Sequence, residues 1–158
     1  CYGMQMAIIE FARNKLNLKN ATSSEFDKKG LHIIGLLNEW TKDGKKIRGT
    51  EKNLGGTMRL GSYEAKLRKN SLIQKIYKTN LIKERHRHRY EVNIAFKDKF
   101  EKKGMLFSGL SPDGSLPEII ELKNHPWFIG VQFHPEFKSR PLSPHPLFSS
   151  FIKASKNH

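Results

Sequence analysis

Apolar and polar positions follow two periods along this chain. Met4, Ala7, Ile8, Phe11 and Ala12 recur at helical spacing and form one apolar stripe, with Glu10 and Arg13 off it. The spacing predicts a helix that starts at or just after Cys1. Residues 31–37 form an apolar run that reads as a strand, and residues 20–26 before it read as a polar connection. Residues 40–53 are polar, with Asp43-Gly44 as a turn signal, and read as a hairpin or flap. Met58 and Leu60 alternate with Thr57 and Arg59, which gives strand character. Ser71-Leu72-Ile73-Gln74 has capping-box spacing and predicts a short helix.

In residues 84–93, His86 and His88 fall on one strand face and Arg85, Arg87 and Arg89 on the other. Residues 97–103 are charged and weakly helical. Residues 105–110 and 118–121 read as strands joined by the turn Ser111-Pro112-Asp113-Gly114. A second apolar run, 128–133, reads as a short buried strand that ends before Pro135, which has no N–H to donate. Residues 146–154 read as a last helix, with Leu147, Phe148, Phe151 and Ile152 on one face. Helices interleaved with short strands indicate an α/β domain, and turns of hairpin length indicate a mixed sheet.

The 158 residues fit about one domain, with 37% hydrophobic and 28% charged residues. No apolar run reaches the length of a membrane span, and a cytoplasmic protein fits best. A single cysteine excludes an internal disulfide framework and a multi-cysteine zinc site. The net charge of +14 is compatible with an anionic partner, but lysine-rich solvated surface explains it as well. Gly55-Gly56 lacks the Gly-Lys-Ser/Thr that a phosphate loop needs. His86 and His88 alone make a poor metal site, since no third ligand stands out.

The chemistry-bearing residues lie at the two ends of the pattern. His134 and Glu136 follow directly on the 128–133 strand, and in α/β sheets ligands gather just past strand ends. A histidine transfers protons near neutral pH, and a carboxylate two residues on can orient its ring. The chain's one thiol, Cys1, sits where a helix begins. There the unpaired N–H groups favour a thiolate and a developing oxyanion. These three residues are candidates for nucleophile, base and orienting acid.

The residues Cys1-Tyr2-Gly3-Met4-Gln5-Met6-Ala7 and Phe133-His134-Pro135-Glu136-Phe137 resemble the two halves of the class I glutamine amidotransferase triad. Glu25-Phe26 and residues 54–61, 84–93 and 124–127 are similar to the glutaminase domain of the CTP synthase family. The resemblance covers essentially the whole chain. It implies a three-layer α/β fold with a mixed, mostly parallel sheet, whose N-terminal part lies upstream of these residues. It also implies that Cys1, His134 and Glu136 hydrolyse L-glutamine. Substrate contacts fall on Tyr2, Gly3, Met4, Gln5, Glu25 and Arg89, with Arg89 on the carboxylate and Glu25 on the ammonium. Arg48, in the flap, matches a position tied to activation by GTP.

The domain itself would need no cofactor or metal. ATP and magnesium belong to an amidoligase domain, absent here, that completes a homotetrameric enzyme making CTP from UTP. Nucleic acid and membrane are not implied as partners. One oxyanion donor of the family comes from upstream of the nucleophile, so the isolated chain is expected to be at most a feeble glutaminase. Two other readings stay open at this point. Cys1 could use its own α-amine as base, as N-terminal-nucleophile amidohydrolases do, or the chain could be a non-catalytic basic nucleic-acid-binding module.

Overall fold

A computed structural model describes residues 1–36 and 58–157. The flap at 40–53, Arg48 and Gly55-Gly56 lie outside the described residues. Among the described residues, four α-helices and eight strands run in the order α1 Tyr2–Lys15, β1 Ala21–Ser23, β2 Leu31–Leu36, β3 Arg59–Leu67, α2 Leu72–Tyr77, β4 Leu81–His88, β5 Tyr90–Val92, α3 Lys97–Lys102, β6 Met105–Leu110, β7 Pro117–Leu122, β8 Ile129–Val131 and α4 Pro146–Lys156.

Among the described residues the strands make two sheets, ordered β1-β2-β5 and β4-β3-β6-β7-β8. The α/β, mixed-sheet expectation holds. The expectation of a mostly parallel sheet does not hold among the described strands. Only β1 with β2 is parallel, and every pair in the larger sheet is antiparallel. The reason is the chain between strands. Loops 111–116 and 123–128 are too short for the crossover, a dozen residues or more, that a parallel pair requires. The stretch read as a polar connection, 20–26, contains β1, whose pairing to β2 is set by neighbours rather than by its own Ala-Thr-Ser sequence.

The layers follow from alternation along β7. Ile120 joins the core formed by Met4, Ile8 and Phe11 of α1 and Phe100 of α3. Ile119 points the other way, into the core of Ala65, Ile73, Ile82, Phe133 and Leu147, beneath α2 and α4. Helices therefore cover both faces of the sheet. Each fully buried side chain of this size contributes roughly 1.5–3 kcal/mol against exposure.

Local signals place several elements. Ser71 caps α2, its Oγ accepting from Gln74 N at 3.2 Å. Glu121 of β7 accepts from Leu72 N and Ile73 N at 3.0 and 2.9 Å, which satisfies two further first-turn donors and ties α2 to the sheet. Gly130 is needed for close approach. A Cβ there would stand 2.8 Å from the Ile120 side chain and 3.4 Å from Met4 Cβ, so its absence lets α1 settle onto β8. The apolar face expected on α4 is largely exposed. Leu147 is buried, whereas Phe148, Phe151 and Ile152 are not.

Candidate active site

Two elements build the site, the start of α1 and the segment leaving β8. Cys1 is the N-cap of α1. Its backbone nitrogen donates to Val131 O at 2.5 Å, so the helix start docks on the last residue of β8. The Cys1 Sγ accepts from Gln132 Nε2 at 3.5 Å. The helix begins at Tyr2, so the N–H groups of Tyr2, Gly3 and Met4 precede the first intrahelical bond, Gln5 N to Cys1 O at 3.3 Å. Those donors and the helix dipole favour negative charge near Cys1.

The strand is shorter than the apolar run suggests. β8 ends at Val131, and a 3₁₀ turn over Pro135–Phe137 follows, with the proline in its first turn. His134 N donates to Arg85 O at 2.9 Å, which anchors the segment to β4. The turn folds Glu136 back, and its Oε1 accepts from His134 Nδ1 at 2.7 Å. Partial burial raises the Glu136 carboxyl. The hydrogen bond from His134, together with a backbone hydrogen bond and the nearby positive charges, outweighs it and leaves Glu136 below the ordinary carboxylate range. With Nδ1 engaged, Nε2 is the nitrogen left for chemistry. It is buried and has no hydrogen-bond partner among the described residues. The ring also stacks on Phe137, with centroids 5.1 Å apart.

The expected substrate residues are distributed unevenly. Gln5 is buried one turn beyond Cys1, and its Nε2 donates to Tyr90 O at 2.9 Å. Arg89 is half-buried in the break between β4 and β5, next to that carbonyl. Met4 is buried in the core. Tyr2 is exposed, its ring edge-on to Phe26 at 6.2 Å. Gly3 is exposed. Glu25 is also exposed, its N–H donating to Ser23 Oγ at 3.2 Å.

Several polar residues of the neighbourhood escaped the sequence reading. Arg59 is buried between Glu118 at 2.7 Å and Glu91 at 3.2 Å. Burial pushes Glu91 up to about 8 and Glu118 up to about 6, and in both Arg59 opposes the rise without cancelling it. His86 and His88 do share the buried face of β4. Burial, reinforced by Arg59, pushes them down to about 2 and about 3, so both are neutral at physiological pH. Among the described residues no group of three histidine, cysteine or acidic side chains is arranged to hold a metal ion. The available signal was polarity in the wrong place. Glu118 and Gln132 each interrupt an apolar run, and a buried polar residue has to be satisfied by something.

Comparison with known proteins identifies the family. The family model for glutamine amidotransferase class-I matches residues 1–154. The chain belongs to the class I glutamine amidotransferases. This membership disfavours the N-terminal-nucleophile and nucleic-acid-binding alternatives. Within the class, the chain is 89% identical over 158 residues to a CTP synthase of Pelagibacter ubique (strain HTCC1062), covering 100% of this chain and 29% of the relative. It is 58% identical over 156 residues to the CTP synthase of Rhodospirillum rubrum, covering 98% and 29%. It thus spans less than a third of the length of these relatives. Among solved structures it is similar to the glutaminase domain of a Trypanosoma brucei CTPS with bound acivicin. That match has a TM-score of 0.83 and 35% identity, over 98% of this chain and 58% of the other. No described helix is long and apolar enough to cross a membrane.

Proposed function

We propose that this amidotransferase chain is the glutaminase part of a CTP synthase. It hydrolyses L-glutamine to glutamate and ammonia, and the ammonia aminates UTP in an ATP-dependent step. The observation that carries the reading is the junction of α1 with β8. It brings the Cys1 thiol and the buried Nε2 of His134, which has no partner among the described residues, to one end of a strand. The identity to CTP synthases over the whole chain supports the choice of acceptor.

In this reading His134 Nε2 takes the Cys1 thiol proton, and the thiolate attacks the side-chain amide carbon of glutamine. The tetrahedral oxyanion forms at the start of α1, where Tyr2 N–H donates to it. His134 then gives its proton to the departing nitrogen, which leaves as ammonia, and a thioester remains on Cys1. Water, deprotonated by the same nitrogen, attacks the thioester, and glutamate is released. Glu136 holds the ring through Nδ1 and stabilises the imidazolium. Arg89 pairs with the substrate carboxylate, Glu25 with its ammonium, and Gln5 lines the same end.

ATP and magnesium serve an amidoligase domain of the longer protein. GTP acts as activator, with Arg48 as one contact, and the assembled enzyme is a cytoplasmic homotetramer. The test uses the full-length protein. Cys1→Ala should abolish glutamine-dependent CTP formation and leave ammonia-dependent formation near wild type. Retained glutamine-dependent synthesis in that variant would overturn the reading.

A further inference from the structure

The two buried histidines of β4 have a direction. His86 Nδ1 lies 2.8 Å from His88 Nε2, and His88 Nδ1 lies 3.2 Å from Tyr90 O. A carbonyl can only accept, so His88 Nδ1 carries a proton. Its ring is neutral, so Nε2 is bare and accepts from His86 Nδ1–H. His86 is neutral as well, and its bare Nε2 faces Glu118 Oε2 at 3.7 Å. Each imidazole therefore donates through Nδ1, and the chain of donors ends on the Tyr90 carbonyl. That oxygen also accepts from Gln5 Nε2 at 2.9 Å, and Tyr90 directly follows Arg89.

We propose that His86 and His88 are positioning residues that hold, through the Tyr90 carbonyl, the peptide carrying Arg89 and the amide of Gln5. This rests on the glutaminase reading, in which those two groups meet the amino-acid end of the substrate. The cluster is closed from the sides as well. The His86 ring stands edge-on to Tyr63 and Phe133, with centroids 5.5 and 6.0 Å away, so it has little freedom to turn. Arg59 holds Glu91, the residue after Tyr90, at 3.2 Å, and the same Glu91 oxygen lies 3.4 Å from His88 Nδ1, so this ion pair packs against the histidines and adds to the bracing of β5.

Two isosteres separate positioning from mere filling. An asparagine amide nitrogen falls near the place of Nδ1, whereas a glutamine amide reaches toward Nε2. In the full-length protein, His88→Asn keeps the donor to Tyr90 O and should stay within about twofold of the wild-type glutamine KM. His88→Gln loses that donor and should raise the KM about tenfold, the scale of one hydrogen bond. Its kcat and ammonia-dependent rate should stay within about twofold. Equal KM values for the two variants would overturn the assignment, as would a loss shared equally by the ammonia-dependent reaction. A second measurement needs no variant. Side-chain ¹⁵N shifts of the wild type near neutral pH should show both rings neutral with the proton on Nδ1, and an Nε2–H tautomer at His88 overturns the relay. A wild type that hydrolyses no glutamine overturns the function and this assignment with it. Active wild type with indistinguishable Asn and Gln variants overturns the assignment alone.

Discussion

Replacing Glu136 by glutamine tests how much the pair with His134 contributes. The substitution keeps the size of the side chain and an oxygen that can accept from Nδ1 at about the observed 2.7 Å. It removes the negative charge that faces the imidazolium formed in each half-reaction. Two unit charges about 4 Å apart interact by about 1 kcal/mol in water and about 4 kcal/mol at an effective dielectric of 20. The Glu136 side chain is 55% exposed, so the value belongs near the aqueous end, about 1–2 kcal/mol. That converts to a fall of roughly 5–30-fold in glutaminase kcat. A buried triad aspartate, by contrast, is worth about 10⁴ when neutralised. Glutamate release and ammonia-dependent CTP formation, measured side by side in the full-length protein, isolate the effect. The first should fall by that amount and the second should not move. Unchanged glutamate release would refute the stabilisation of the imidazolium by the Glu136 charge, and a loss near 10⁴ would refute its screening by solvent.

Arg89→Lys should raise the glutamine KM about tenfold or more with little change in ammonia-dependent synthesis, because lysine cannot reproduce a paired guanidinium–carboxylate contact; a proportional fall in both activities would make the residue structural. Glu91 has a folded value near 8 against an ordinary 4.5, so its contribution to stability is full below 4.5 and is lost as pH rises to 8. Glu91→Gln, which resembles the protonated acid, should gain on wild type by up to about 1.4 kcal/mol per pH unit across that window. Urea midpoints at pH 5.5 and 8 check it, and parallel pH profiles would contradict it. Gly130→Ala should lower glutaminase kcat and raise the glutamine KM together, since a methyl there pushes against Ile120 and Met4. Its stability cost should be about 1–3 kcal/mol by thermal unfolding.

What the sequence discloses is what neighbours in the chain decide. The stripe of α1, the Ser71 cap and the Asp113-Gly114 turn depend on residues within a few positions, and each stands where the pattern puts it. The pairing of His134 with Glu136 is equally local. Arg59 is different. In the sequence it is only a polar position alternating with Met58 and Leu60, and it is buried because Glu91 and Glu118 arrive from distant strands to meet it. Gln132 reads as a flaw in an apolar run, and it meets Cys1 because the chain closes across residues 1 and 132. The direction of the sheet was hidden for a related reason. The resemblance suggested parallel strands, whereas the described connections are mostly of a length that returns the chain antiparallel.

The arrangement gives α1 two attachments that bear on one substrate. At its first residue the helix is fixed to the end of β8 by the Cys1 nitrogen, and one turn later Gln5 fixes it to β5 through Tyr90 O. Four residues of α-helix rise about 6 Å, the scale of a single amino-acid side chain. The helix thus sets the separation between the thiol that would do the chemistry and the group that would meet the far end of glutamine. Neither attachment is independent of the core. Met4 packs over Gly130 on one side of the helix, and Ile8 and Phe11 continue the contact with the sheet. Close packing passes displacement on rather than absorbing it. A shift of α1 by an ångström would disturb the nucleophile and the recognition group together, and misplacement of that size costs about 100-fold in rate. A rigid helix seated on a glycine, with a buried polar network bracing β5, is therefore the physical basis on which the substrate's two ends are held in register.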